Sequence, residues 1–383
     1  MSFVDLGGWH GLSEPSRGLA LEVLLHGPLS RSDVARRLEM SAGSVTRLSR
    51  PLLDAGVLVE GGGPYETTEG RPGRPLHVAT DAVQLVGLRV AGTHAWATLT
   101  TLRADAVDAV DAPLPDTSPE AVADTALRLV ERLRRSAPPV AGVGVAVGGT
   151  VDGHGIVVRA PFLGWNDVPF GRMLEDRTGL PVTLANDIVA LTTAESWFGV
   201  GSRHPTFAVV TVGTGVGLGL VYDRRVVTGP DTGVGLVGHL PLGMHGPVCD
   251  LGHRGCAAAV LSDASIRNQV SIAVGRPVDA EDVLDLVLAG QHPAVDAIAE
   301  HVAVGLGRLI AMVANITMVP VVAVSGEGLA LAELLQHRVH REVARLRDPH
   351  AADVDIVFQH SPGSRWARGA AAVAIKRYVS PTT

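Results

Sequence analysis

TFAVVTVGTGVGLGLVYDRRVV, residues 206–227, reads as an apolar strand, a glycine-rich turn at 213–217 and a second strand. VAGVGVAVGG (140–149) opens in the same way, as a buried strand running into a glycine turn. Upstream of it, QLVGLRV (84–90) reads as a strand, two alternating segments follow near 94–102 and 106–112, and a helix fits 119–136. The repeated plan predicts two α/β lobes of like design, 81–200 and 201–383, with a cleft between them. The apolar helical segment 297–314 and a C-terminal helix over 364–378 are expected to pack the second lobe.

Residues 1–80 follow a different plan. Leu19, Val23 and Leu24 share one helical face, and Gly27-Pro28 stops that helix. Ser30 with Asp33 forms a capping pattern ahead of Val34 and Leu38. Ser41 caps a third helix in which Val45, Leu48 and Leu52 recur at helical spacing, and Pro51 is expected to bend or end it. Gly56 and the short strand Val57-Leu58-Val59 follow, then the glycine-rich stretch GGGPYETTEGRPGRP (61–75). Three short helices, a strand and a hairpin make the plan of a winged helix-turn-helix.

Ser44, Thr46, Arg47 and Arg50 lie off the apolar stripe of the third helix, where they can face a DNA major groove. Residues 31–50 hold five arginines against Asp33 and Glu39, a local charge of +3, whereas residues 1–80 hold eight arginines against nine acids. A basic signal this local suits one docking face. The competing reading is a helical dimerisation domain with solvated arginines. GRPGRP (70–75) is narrow and extended, so Arg71 and Arg74 can follow a minor groove; a plain linker has the same composition.

The 383 residues are 46% hydrophobic and 19% charged, with net charge −7, which argues against a surface coated in positive charge. No apolar run is expected to span a bilayer: LIAMVANITMVPVVAV (309–324) reads as a buried helix followed by a buried strand. The N-terminal residues lack a secretory pattern, so a soluble cytoplasmic protein is expected. Cys249 and Cys256 are the two cysteines, close together beside several histidines, which suits a metal or two plain thiols better than a disulfide framework.

APFLGWNDVPF (160–170), LPVTLANDIVALTTAESWFGVG (180–201), TVGTGVGLGL (211–220) and GHLPLGMHGPVCDLGHRGC (238–256) occur in the order and spacing of the ROK family of repressors, open reading frames and sugar kinases. With its N-terminal winged helix, the chain resembles the family's transcriptional-regulator branch over about residues 15–380. The resemblance implies an α/β fold: a winged helix-turn-helix joined to a two-lobed, actin-like, sugar-kinase-like domain. It also implies sugars or sugar phosphates as usual ligands, double-stranded operator DNA as partner, and a homodimer or homotetramer on a near-palindromic site.

The family's kinases need a DxGGT loop for phosphates and metal. The matching residues are Arg89-Val90-Ala91-Gly92-Thr93, and a cation in place of the aspartate cannot recruit Mg²⁺. The second glycine loop, 213–217, keeps its glycines, which a tight turn demands equally. No ATP binding is therefore expected. Asn186 and Asp187 match the family's sugar-binding pair and also suit a helix N-cap; the two roles are compatible. His239 joins them as a candidate ligand contact. The family's two sugar-gripping glutamates correspond to Leu236 and Ala258, so the usual hexose is in doubt. Its zinc pattern keeps His239, Cys249 and Cys256, with Leu251 in place of the middle cysteine and His253 two residues on as a fourth ligand. A metal-free loop with two buried thiols is the alternative. The function expected from these residues is a non-catalytic, DNA-binding repressor. The rivals are an ATP-dependent sugar kinase and a regulator with no small-molecule effector.

Overall fold

The computed structural model describes residues 1, 3, 5–61, 74–134, 138–360 and 362–380. They form two compact units, Met1–Ser202 with Gly363–Thr383, and Arg203–Pro362.

The first unit begins with α1 (Glu14–His26), α2 (Arg31–Arg37) and α3 (Ala42–Asp54). Each helix starts after a serine, Ser13, Ser30 or Ser41, whose hydroxyl accepts the N–H three residues on. A cap of this kind stabilises a short helix by about 1 kcal/mol. Strands β1 (Leu58–Glu60) and β2 (Leu76–Val78) pair antiparallel, with Leu58 opposite Val78, and Leu29 adds a bridge to Leu76. The base of the expected wing is therefore present, and residues 62–73, Arg71 among them, lie outside the described residues. A break is expected at Pro51, yet α3 runs on to Asp54. The proline removes the one N–H that would reach Arg47 C=O, in the last turns of an exposed face where water can take that carbonyl.

Two sheets of matching topology follow, one in each unit. In the first, β3 (Gln84–Ala91), β4 (His94–Thr100) and β5 (Ala106–Pro113) form an antiparallel meander. After α4 (Pro119–Leu133), β6 (Val140–Val147) pairs parallel to β3. Three short strands, β7 (Thr150–Val151), β8 (Val157–Ala160) and β9 (Trp165–Val168), and α5 (Phe170–Thr178) lead to β10 (Val182–Asn186), parallel to β6, and then α6 (Asp187–Phe198). In the second unit β11 (Phe207–Val212), β12 (Val216–Tyr222) and β13 (Arg225–Val226) form the meander. Helices α7 (Ala257–Leu261), α8 (Asp263–Val274), α9 (Ala280–Ala289) and α10 (Pro293–Thr317) precede β14 (Val321–Ser325), which is parallel to β11. Then come α11 (Leu329–Leu334), α12 (Gln336–Arg345) and β15 (Asp355–Phe358), parallel to β14. The expected likeness of the two lobes is thus a duplicated sheet.

Two expectations need correction. The C-terminal helix, Gly363–Val379, packs the first unit and not the second. Gly87 and Gly144 let it lie directly on β3 and β6, since a side-chain carbon at either would collide with the backbone of Ala367 or Ala370. Its far end, Ala374, Ile375 and Tyr378, shares a core with Trp9, Leu19, Leu24, Val45 and Leu52, which joins the winged helix to the sheet. The second concerns the membrane: α10 is long and apolar enough to cross one by length and composition. It is the central helix of the second core, with Leu306, Leu309, Ile310 and Val313 buried and only a narrow strip, including Glu300 and Asn315, exposed.

Candidate functional site

Helix α3 turns Val45, Ser49 and Leu52 inward and leaves Thr46, Arg47 and Arg50 exposed, with Ser44 half-buried. Ser44 N–H donates to Ser41 Oγ at 3.1 Å and the two hydroxyls lie 3.0 Å apart; Thr46 Oγ1 donates to Ala42 O at 3.0 Å. Three of the five arginines in 31–50 are engaged elsewhere: Arg31 with Glu60, Arg36 with Asp33 and Arg37 with Glu22. Among the described residues Arg47 and Arg50 have no ion-pair partner. The local +3 therefore narrows to two cations on one helix face. Arg74 is exposed just before β2.

Asn186 is the N-cap of α6. Its Oδ1 accepts from the N–H groups of Ile188 at 2.9 Å and Val189 at 3.2 Å, and its Nδ2 donates to Gly149 O at 2.9 Å. The side chain is 5% exposed and is oriented by the cap. Asp187 is half-buried, with Oδ1 accepting from Ile188 N–H at 2.9 Å. His239 belongs to the second unit, in the short helix Leu236–His239.

The four metal candidates do come together. One ligand atom each from His239, Cys249, His253 and Cys256 lies within 4.8 Å of every other, and Cys249 Sγ is 3.7 Å from His239 Nδ1. A tight turn makes this possible. Cys249 N–H donates to His253 O and Gly252 N–H to Cys249 O, and the strand-like bridges Val248–Arg254 and Pro241–Cys256 return the chain. Gly255 is left-handed, and a side-chain carbon there would press on Gly243 O at 2.6 Å. Burial opposes ionisation of Cys249, but backbone hydrogen bonds at Leu251 and His253 and the Cys256 thiol outweigh it and hold its pKa low. Burial and the neighbouring Cys249 push Cys256 up. A divalent cation would favour both thiolates together, and two sulfurs with two imidazoles suit a tetrahedral ion.

Arg89 is 7% exposed, with its guanidinium 5.3 Å from the Trp96 ring centre and 4.5 Å from that of Trp366. In the second loop a side chain on Gly213 would collide with the Glu327 carboxylate, and Gly213 O accepts from Asp263 N–H at 2.8 Å. Burial, with Glu327 nearby, pushes the Asp263 carboxyl up. Trp96, Trp366, Glu327 and Asp263 escape a sequence reading because their partners come from distant segments.

A model of the ROK family matches residues 85–377. A putative xylose repressor of Caldicellulosiruptor sp. (strain Rt8B.4) is 26% identical over 340 residues, covering 84% of this chain and 85% of that protein. The DNA-binding transcriptional repressor Mlc of Escherichia coli (strain K12) is 27% identical over 311 residues, covering 76% of this chain and 75% of that one. The crystal structure of a ROK family transcriptional regulator, a homologue of E. coli Mlc, matches with a TM-score of 0.78 at 24% identity over 95% of each chain, so the shared fold extends through the N-terminal helices.

Proposed function

The chain belongs to the ROK family, and on that premise we propose that it is a DNA-binding transcriptional repressor whose sugar-kinase-like part senses a ligand without phosphorylating it. One observation carries the reading: a winged helix-turn-helix presents Arg47 and Arg50 outward from α3 while the neighbouring arginines are ion-paired. Ser44, Thr46, Arg47 and Arg50 read the major groove, and Arg71 and Arg74 approach the minor groove from the wing. Two readers from a homodimer or homotetramer meet a near-palindromic operator. Relatives named as repressors support this choice over the kinase reading.

Asp187 is the ligand contact in the first unit, with Asn186 orienting it through the cap; His239 is the candidate on the second. Zinc is the ion for His239, Cys249, His253 and Cys256, where it would hold the loop carrying His239 in place. Elemental analysis should find about one zinc per chain, and a value under about 0.2 would contradict the assignment. Loss of catalysis follows from Arg89: the residue at the position of a phosphate-handling aspartate is a buried cation stacked on indoles. ATP-dependent phosphorylation of glucose that Asp187→Asn abolishes would restore the kinase reading.

Coupling has a physical route inside the first unit. Helix α6 begins at Asp187, and its Ala190 and Leu191 pack on Gly369 of the C-terminal helix. Glu195 pairs with Arg365 at 2.8 Å, and Trp197 and Phe198 at the far end pack against the core that seats α1 and α3. A ligand that binds one position of α6 better shifts the seat of the reader. Selection of genomic fragments by the purified protein tests the main reading. Enrichment of one near-palindromic sequence, lost in Arg47→Ala, is expected; no enrichment contradicts it.

A further inference from the structure

We infer that the ligand seated at Asp187 carries an apolar group beside its hydroxyls, as an aryl glycoside does, and is not a free sugar. This rests on the reading of Asp187 as a ligand contact. Phe162 is 57% exposed, although its neighbours Leu163 and Trp165 are 5% and 3% exposed. It does not sit on a loose loop. The turn Pro161–Leu163 is closed by Gly164 N–H donating to Pro161 O at 3.2 Å, and Trp165 Nε1 donates to Thr117 O at 2.6 Å. An anchored turn therefore holds a phenyl ring out into solvent, against the usual gain of about 25 cal/mol per Å² from burying it.

The ring stands beside the carboxylate. A side-chain carbon built on Gly148 would lie 3.2 Å from Asp187 Oδ2 and 3.5 Å from Phe162 Cδ2, so both groups converge over a bare glycine. Gly92 extends this open floor: a side-chain carbon there would meet only Phe162 O, at 3.5 Å. The carboxylate accepts hydrogen bonds from ligand hydroxyls, while the phenyl face takes an apolar or aromatic group in offset or edge-on contact. A free hexose or pentose satisfies the first and can lay only one C–H face on the second, whereas an aryl group adds a ring of its own to cover it. Anionic ligands fit worse, because the Asp187 carboxylate repels them and the Arg89 guanidinium rests on the Trp96 and Trp366 rings. In the second unit, independently, Val234 and Leu236 are exposed on the approach to His239.

The test compares phenyl β-D-glucopyranoside and phenyl β-D-xylopyranoside with glucose and xylose, by calorimetry and thermal shift on the full chain. At least one phenyl glycoside should bind at least about tenfold tighter than its parent sugar. Phe162→Ala should erase that preference, and Asp187→Asn should weaken the glycoside. Equal affinities, no binding of either glycoside, or a preference that survives Phe162→Ala overturns the inference. Operator binding by the unliganded protein is read separately. Its loss contradicts the regulator reading and leaves the glycoside comparison intact.

Discussion

In the first unit the turn after the opening strand joins β3 to β4 at 92–93; in the second it joins β11 to β12 at 213–215. The two turns hold the same place in a duplicated sheet. Beside the first, Arg89 is stacked on Trp96 and on Trp366 of the C-terminal helix. Beside the second, the glycines are kept, but the Glu327 carboxylate lies next to Gly213 and the half-buried Asp263 adjoins it. One turn thus adjoins a buried cation and the other two carboxylates. Close packing requires a glycine at 213 whether or not a phosphate binds there, so glycine content alone is poor evidence for a nucleotide.

The largest effect should separate the two units by what each glycine faces. Gly144→Ala sets a methyl against the backbone of the C-terminal helix, which cannot yield without moving the core shared with the reader. It should cost about 3 kcal/mol in urea unfolding. Gly213→Ala meets the end of a flexible side chain and should cost about 1 kcal/mol. The reverse ranking would break the comparison.

Next in size is Arg89→Asp, which puts an aspartate back at the kinase position. A loss of about 2 kcal/mol or more is expected, because a carboxylate replaces a cation that rests on two indole rings. No gain of ATP-dependent phosphorylation is expected, since Glu327 and Asp263 remain at the other loop. Recovery of turnover would show that Arg89 alone had silenced a kinase.

The smallest effect concerns Asp263. Its folded pKa lies above the unfolded value, so the folded state holds the proton more tightly. The associated stability is fully present below the unfolded pKa and is lost as pH rises through the folded one. Asp263→Asn should therefore raise the urea midpoint at pH 7, with the gain shrinking toward the carboxyl range. A gain independent of pH would remove the carboxylate pair from the explanation.

Strand-turn-strand units were legible because their strands are apolar on both faces, and the reader helices because Ser30 and Ser41 announce their starts. The metal set was legible too: two cysteines with two histidines in one short loop can hardly avoid each other. Other features depend on packing that no local pattern carries. Periodicity marks the C-terminal helix as buried without saying against which sheet. The Arg36–Asp33 pair can be read at i, i+3, whereas Arg37–Glu22 and Arg31–Glu60 are made by the fold. Phe162 lies within APFLGWNDVPF (160–170), yet only the structure reveals that its ring stands in solvent beside Asp187.

The salt dependence of operator binding tests the central claim most directly. Each phosphate neutralised contributes about 0.9 to the slope of log affinity against log salt. A dimer on its operator should show a steep wild-type slope, reduced in the Arg47→Ala, Arg50→Ala double variant by up to about 3.6 where these arginines meet phosphates and by less where they meet base edges. Arg36→Ala should leave the slope nearly unchanged. A slope near zero, or equal losses from Arg36 and from the α3 pair, would contradict a reader built on Arg47 and Arg50.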